Sequence, residues 1–222
     1  MELVLEKPPR PRGRSAGSQR TRQNILDAAR AIFAEKGYSG ANVGEIVALA
    51  RTTKPMVYYH FGSKEELFSA VLEEVYAEMR SIEQAVAPSA LPPLEAIRRL
   101  VEVTFDYHNE NPDWSRLISV ANIYAAQHVS SSPTIASRSS VVLGLLEEVL
   151  ARGVREGVFR GDVDPLHLHL LIVSTCFYRI SNRHTWKAIF GRALDDPADA
   201  AAQRRMVTEA VLAYLQPETP AP

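Results

Sequence analysis

A single cysteine, Cys176, stands among the 222 residues. One thiol excludes an intrachain disulfide, and the absence of C-x-x-C pairs excludes the zinc folds built on them. No uncharged apolar run of about 18 residues occurs, which argues against a membrane helix. Prolines and arginines (Pro8, Pro9, Arg10, Pro11, Arg12) stand where a secretory leader needs an apolar stretch, so a cytoplasmic location is expected. Catalytic signatures are also missing: there is no Gly-rich phosphate loop, paired-carboxylate motif or Ser/His/Asp spacing. His167 and His169 are two apart and point to different sides of a helix, a poor metal pair. Cys176 and His184 read better as a buried thiol and a solvated or capping imidazole than as zinc ligands. The expectation is therefore no enzyme, no catalytic residues, no metal and no cofactor.

What is present suits a folded core: 46% of residues are hydrophobic and 23% charged. The net charge of −1 conceals an asymmetry. Residues 1–64 carry eleven Lys/Arg against five Asp/Glu, and the remainder is acidic. A basic first third on an acidic body points to a polyanionic partner for the N-terminal part alone.

Residues 1–18, with Pro8, Pro9, Pro11, Gly13 and Gly17, read as a disordered basic arm. From Arg20 to Lys36, Ile25, Ala29, Ile32 and Phe33 share one helical face, and Gly37 sits where a helix ends. Asn42 and Glu45 have capping-box spacing, as do Ser63 and Glu66, while Thr53 heads a short helix with Pro55 in its first turn. Further helices are predicted over Ser63–Pro88, Leu94–Asn109, Asp113–Ala126, Thr134–Glu156 (stopped by Gly157), Leu166–Phe190 and Ala198–Leu215. Strand alternation is missing apart from short pieces, so the fold class is all-α with about nine helices.

Residues 42–64 form two short helices around the turn Arg51-Thr52-Thr53, a helix-turn-helix. The second helix is short and polar on one face, and Lys54, Met56, Tyr59 and His60 offer donors, acceptors and apolar contacts suited to a major groove. Lys64, at the start of the next helix, combines an ammonium with a positive helix end, a place for a phosphate. The stretch "VGEIVALARTTKPMVYYHFGSKEELFSAVL" resembles the N-terminal signature of the TetR family of transcriptional regulators. It matches at Ile46, Ala50, Tyr58, Phe61, Ser63, Lys64, Glu65 and Leu67, and "ILDAARAIFAEKGY" fits the preceding helix.

The resemblance implies that Tyr58 and Lys64 hold phosphates, and that Thr53, Lys54, Met56, Tyr59 and His60 face the groove, with Asn42 and Pro55 completing the DNA-binding set. Arg51 stands where the family has a turn glycine and Thr52 where it has a buried Val or Ile. A different turn geometry and a less buried Thr52 are therefore expected.

By the same resemblance, the C-terminal helices hold a small-molecule effector pocket and a homodimer interface. Tyr76, Phe105, Trp114, Asn122, Phe177 and Tyr178 are the candidate effector-binding residues, and Asn122 and Asn182 are amides in apolar helices that need partners. The stretch Leu171–Gly191, with Ala210, Val211, Tyr214 and Leu215, is expected to build an intersubunit four-helix bundle. The string "SNRHT…IFGR" resembles the C-terminal part of a TetR subgroup that includes pyrimidine-utilisation repressors. The expected layout is an arm (1–18), a DNA-binding domain (19–65), an effector-binding and dimerisation domain (66–216) and a tail (217–222). The expected function is a ligand-responsive regulator of double-stranded operator DNA, a repressor released from a palindromic operator by its effector. The rival is a sensor-less DNA-binding module controlled by a protein partner, distinguished by a solid core in place of a cavity.

Overall fold

The computed structural model describes residues 16–86, 88–130 and 132–217. Arg10, Arg12 and Arg14 of the expected basic arm and the end of the tail lie outside the described residues. Those residues form eleven α-helices and no strand. They are α1 (Ala16–Gly40), α2 (Val43–Leu49), α3 (Lys54–Phe61), α4 (Lys64–Ala85), α5 (Pro93–Glu110), α6 (Pro112–Ile123), α7 (Gln127–Ser130), α8 (Pro133–Arg155), α9 (Pro165–Ser181), α10 (Arg183–Phe190) and α11 (Pro197–Leu215). Helix α1 begins inside the expected arm, at Ala16.

Two glycines act as the sequence suggests. Gly37 breaks α1 at φ 70, and Gly157 (φ 71) closes α8, with its N–H bonded to the Val154 carbonyl and that of Val158 to Gly153.

Two expected helices are broken. The segment from Asp113 stops at Ile123 because Ala125 and Ala126 both adopt positive φ, and α7 is a separate single turn. The segment Leu166–Phe190 breaks at Asn182, whose side chain donates back to the Tyr178 carbonyl. A short amide competes in this way with the backbone ladder, so the partner that Asn182 required is local.

One core joins the N-terminal helices to α4, α6 and the start of α8, through Ile25, Phe33, Ile46, Val57, Phe68 and Leu117. A second, built by α5, α8, α9 and α11, contains Ile97, Leu100, Leu146, Ile172 and Leu212. Val211 and Leu215 belong to this second core. They face their own chain and not a partner, because α11 packs on α5. None of the described helices is long and apolar enough to cross a membrane.

Candidate nucleic-acid interface and effector cavity

Helix α2 starts where the Asn42 side chain accepts a hydrogen bond from Gly44 N at 2.7 Å. Glu45 pairs with Lys36 at 2.5 Å, and this bond, helped by one from the Asn42 backbone, holds its carboxyl below the ordinary value. The helix closes with the Thr52 N–H on Val47 O and the Arg51 N–H on Ala48 O. That is the pattern of a helix ended by one left-handed residue, and Arg51 is that residue, at φ 51. The turn therefore keeps the geometry a glycine would take, contrary to the expected departure, and Thr52 is half-buried. Thr53 occupies the N-cap of α3 in extended conformation without a side-chain bond, so its predicted capping bond is not formed.

Buried Val57 and Phe61 anchor α3 on Ile46 and Leu67, which turns the opposite face outward. Asn42, Thr53, Lys54, Pro55, Tyr58 and Tyr59 are exposed, Tyr59 by 76%. Met56 and His60 are half-buried, and the His60 ring meets Tyr59 edge-on at 5.1 Å. Lys64 follows the Ser63 cap, whose hydroxyl accepts from Glu66 N at 3.0 Å, and its ammonium lies 4.8 Å above the Tyr38 ring.

Arg22 packs against α3 beside these residues. Its guanidinium lies 4.9 Å over Phe61, and it continues the stripe of Ile25, Leu26, Ala29 and Phe33 one turn backward, a signal the helical spacing already held.

A cavity of about 440 Å³ opens between α4, α6, α8 and α9. Tyr76, Trp114, Asn122 and Phe177 line it. Two of the expected residues do not. Phe105 is buried against Cys176 and Ala200 beneath the Arg179 guanidinium, and Tyr178 is 55% exposed on the outer side of α9. Each sits away from the cavity because its helix phase turns it off the α4–α6 side. The Asn122 amide donates to Ile118 O, so its N–H need is already met within α6.

Sequence reasoning missed Arg80 and His169 on the cavity wall. Arg80 pairs with Glu83 in the interior, Nη1 to Oε2 at 2.9 Å. Both fall on the apolar stripe of α4 with Leu72, Tyr76 and Met79, and charges on such a stripe are the readable signal. Burial pushes the Glu83 carboxyl up to about 7, against the pull of Arg80. Burial, aided by the Arg80 charge, lowers His169 to about 4, so its imidazole is neutral at pH 7. His108 is lowered to about 4, chiefly by burial, and its Nδ1 lies 2.7 Å from the Thr104 carbonyl.

Residues 25–71 match the family described as "Bacterial regulatory proteins, tetR family", and residues 93–211 match "Tetracyclin repressor-like, C-terminal domain". The HTH-type transcriptional repressor NicS of Pseudomonas putida is 32% identical over 91% of this chain and 96% of its own. The HTH-type transcriptional repressor AcnR of Corynebacterium efficiens is 30% identical over 71% of this chain and 79% of its own. Among solved structures, the transcriptional regulator SCO4942 of Streptomyces coelicolor is similar at a TM-score of 0.66 and 26% identity, covering 91% of this chain and 99% of that one. A helix-turn-helix on an all-helical body of this kind defines a DNA-binding transcriptional regulator. The chain belongs to the TetR family.

Proposed function

We propose that the protein is a cytoplasmic homodimeric repressor that binds a two-fold operator and leaves it when a small molecule enters the α4–α6–α8–α9 cavity. The observation that carries this reading is the double role of α4. Its first turn follows the candidate recognition helix α3 after only Gly62 and Ser63, and its later turns place Tyr76 and Arg80 in the cavity wall. A ligand that favours one position of α4 thereby favours one spacing of two recognition helices.

The exposed face of α3 supplies Lys54, Tyr58 and Tyr59, with Lys64 at its edge, for phosphates and base edges. A lone helix-turn-helix reads few base pairs, so specificity favours two copies. Exposed apolar side chains on the last helices, Tyr178, Ile189, Phe190, Met206 and Tyr214, offer a surface for the second copy. Repression, in preference to activation, draws support from NicS and AcnR, both named as repressors. The rival reading, a module governed by a protein partner, expects a solid core, and the cavity favours the effector.

The test is fluorescence anisotropy on the DNA upstream of the protein's own gene. The expected result is two-fold-stoichiometric binding that Tyr58→Ala and Lys64→Ala abolish. Weak binding indifferent to DNA sequence, also in a genome-wide selection, would sink the reading.

A further inference from the structure

Arg80 is the anomaly of the cavity. It is only 7% exposed, it lines the space, and its Nε and Nη1 have no hydrogen-bond partner. Its approach to Glu83 at 2.9 Å is a charge contact made off the hydrogen-bonding axis, since neither Nη1 nor Glu83 Oε2 is hydrogen-bonded. Buried polar atoms are nearly always satisfied, and a guanidinium left unbonded in a low dielectric is expensive. Among the described residues no carboxylate lines the cavity, and the other polar side chains there are Tyr76, Asn122, Ser139, His169, Ser174 and the Trp114 indole.

The Trp114 N–H is also buried without a partner. The His169 imidazole is neutral at pH 7 and adds no charge. Among the described residues of the wall Arg80 is the fixed positive charge, and burial pushes the carboxyl of its partner Glu83 up to about 7. A planar carboxylate matches a guanidinium in both charge and fork geometry.

The rest of the wall fits a ring. Tyr76 and Phe177 each meet Trp114 in edge-to-face contact at 6.2 Å, and Ile118, Leu143 and Val173 complete an apolar surround. The volume of about 440 Å³ suits a small organic molecule.

We infer that the effector is a small ring-bearing carboxylic acid, its carboxylate on Arg80 and its ring among Tyr76, Trp114 and Phe177. This rests on the reading of the cavity as the effector site.

The experiment titrates the full-length protein with sodium benzoate and phenylacetate, and in parallel with benzamide and phenylacetamide, by calorimetry. The acids are expected to bind at least about tenfold more tightly than the amides. Arg80→Met removes that preference. Because this variant strips Glu83 of its partner and risks unfolding, Arg80→Lys and Glu83→Gln accompany it. Arg80→Lys keeps the charge but loses the fork and weakens the acids; Glu83→Gln frees the guanidinium and tightens them. Equal binding of acids and amides overturns the inference. So does an absence of acid binding up to about 10 mM, where millimolar ligands saturate. Acid binding unchanged in Arg80→Lys and Glu83→Gln overturns it as well.

Operator anisotropy with the same compounds separates the two readings. Amides that bind and release the operator leave the effector site standing and sink the acid class. Acids that bind through Arg80 without altering operator affinity uphold the acid class and sink release by ligand.

Discussion

Arg30 of α1 and Asp113 of α6 are joined by a hydrogen bond of 2.5 Å from Nε to Oδ2, one residue away from Trp114 in the cavity wall. The same guanidinium reaches both Glu78 oxygens of α4 at 2.8 Å, and the Tyr107 hydroxyl donates to Glu78 at 3.1 Å. Burial works against the charge on Arg30, but the bonds to Asp113 and Glu78 outweigh it and raise its pKa. One side chain of the DNA-binding head thus holds both helices that wall the cavity on its inner side.

Asp113→Asn breaks the charge contact and keeps the shape. Partly exposed pairs of this kind contribute about 1 kcal/mol, so a loss of that order is expected in urea unfolding. Operator affinity without ligand should change little, while the shift caused by a bound effector should shrink. A full ligand response in this variant would remove Arg30–Asp113 from the coupling route.

Arg51→Gly relieves a side chain held at positive φ in the turn between α2 and α3. The gain is about 1 kcal/mol, reduced by the extra freedom that glycine brings to the unfolded chain. Thermal unfolding should therefore show a small rise in Tm, and a fall would mean that Arg51 is held by contacts that outweigh its strain.

The Glu83 carboxyl has a folded pKa of about 7 against an ordinary 4.5. Between those values the folded state keeps a proton that the unfolded state releases, so this group's contribution is full at low pH and is lost as pH climbs to about 7. Glu83→Gln removes that loss. Its stability relative to the natural protein should rise between about pH 4.5 and 7, by on the order of 1–3 kcal/mol, and level off above 7. A difference independent of pH would show that Glu83 ionises normally. His108 and His169, both lowered to about 4, act in the opposite sense: they withdraw stability as pH falls from 6.5, equally in both proteins.

Lys54 is exposed at the first position of α3. If it neutralises one phosphate, Lys54→Ala lowers the slope of log affinity against log salt by about 1 and weakens all sequences alike. A changed sequence preference with an unchanged slope would place Lys54 on a base edge instead.

Much of the head was legible in advance because its rules are local. Val57 and Phe61 sit inward at helical spacing and leave Tyr59 opposite them, so the exposed face of α3 follows from periodicity there, whereas Lys54 shares their i, i+3, i+7 spacing and is exposed at the helix's first position. The cavity was legible only in part. Tyr76, Trp114, Asn122 and Phe177 line it, but Phe105 and Tyr178 carry the same aromatic character into a core and onto the surface. Residue type does not distinguish those fates; the rotation of α5 and α9 against their neighbours does.

By itself the sequence determined the all-helical class, the helix-turn-helix and most helix ends, since caps, glycines and apolar spacing act within a few residues of themselves. The tertiary structure alone decided that Ala125 and Ala126 end α6, that Val211 and Leu215 serve the chain's own core, and that the Arg80 Nε and Nη1 stand without a hydrogen bond in a cavity wall. Those outcomes depend on packing between segments far apart in the chain, where the free energy of excluding water from facing surfaces overrides local preference.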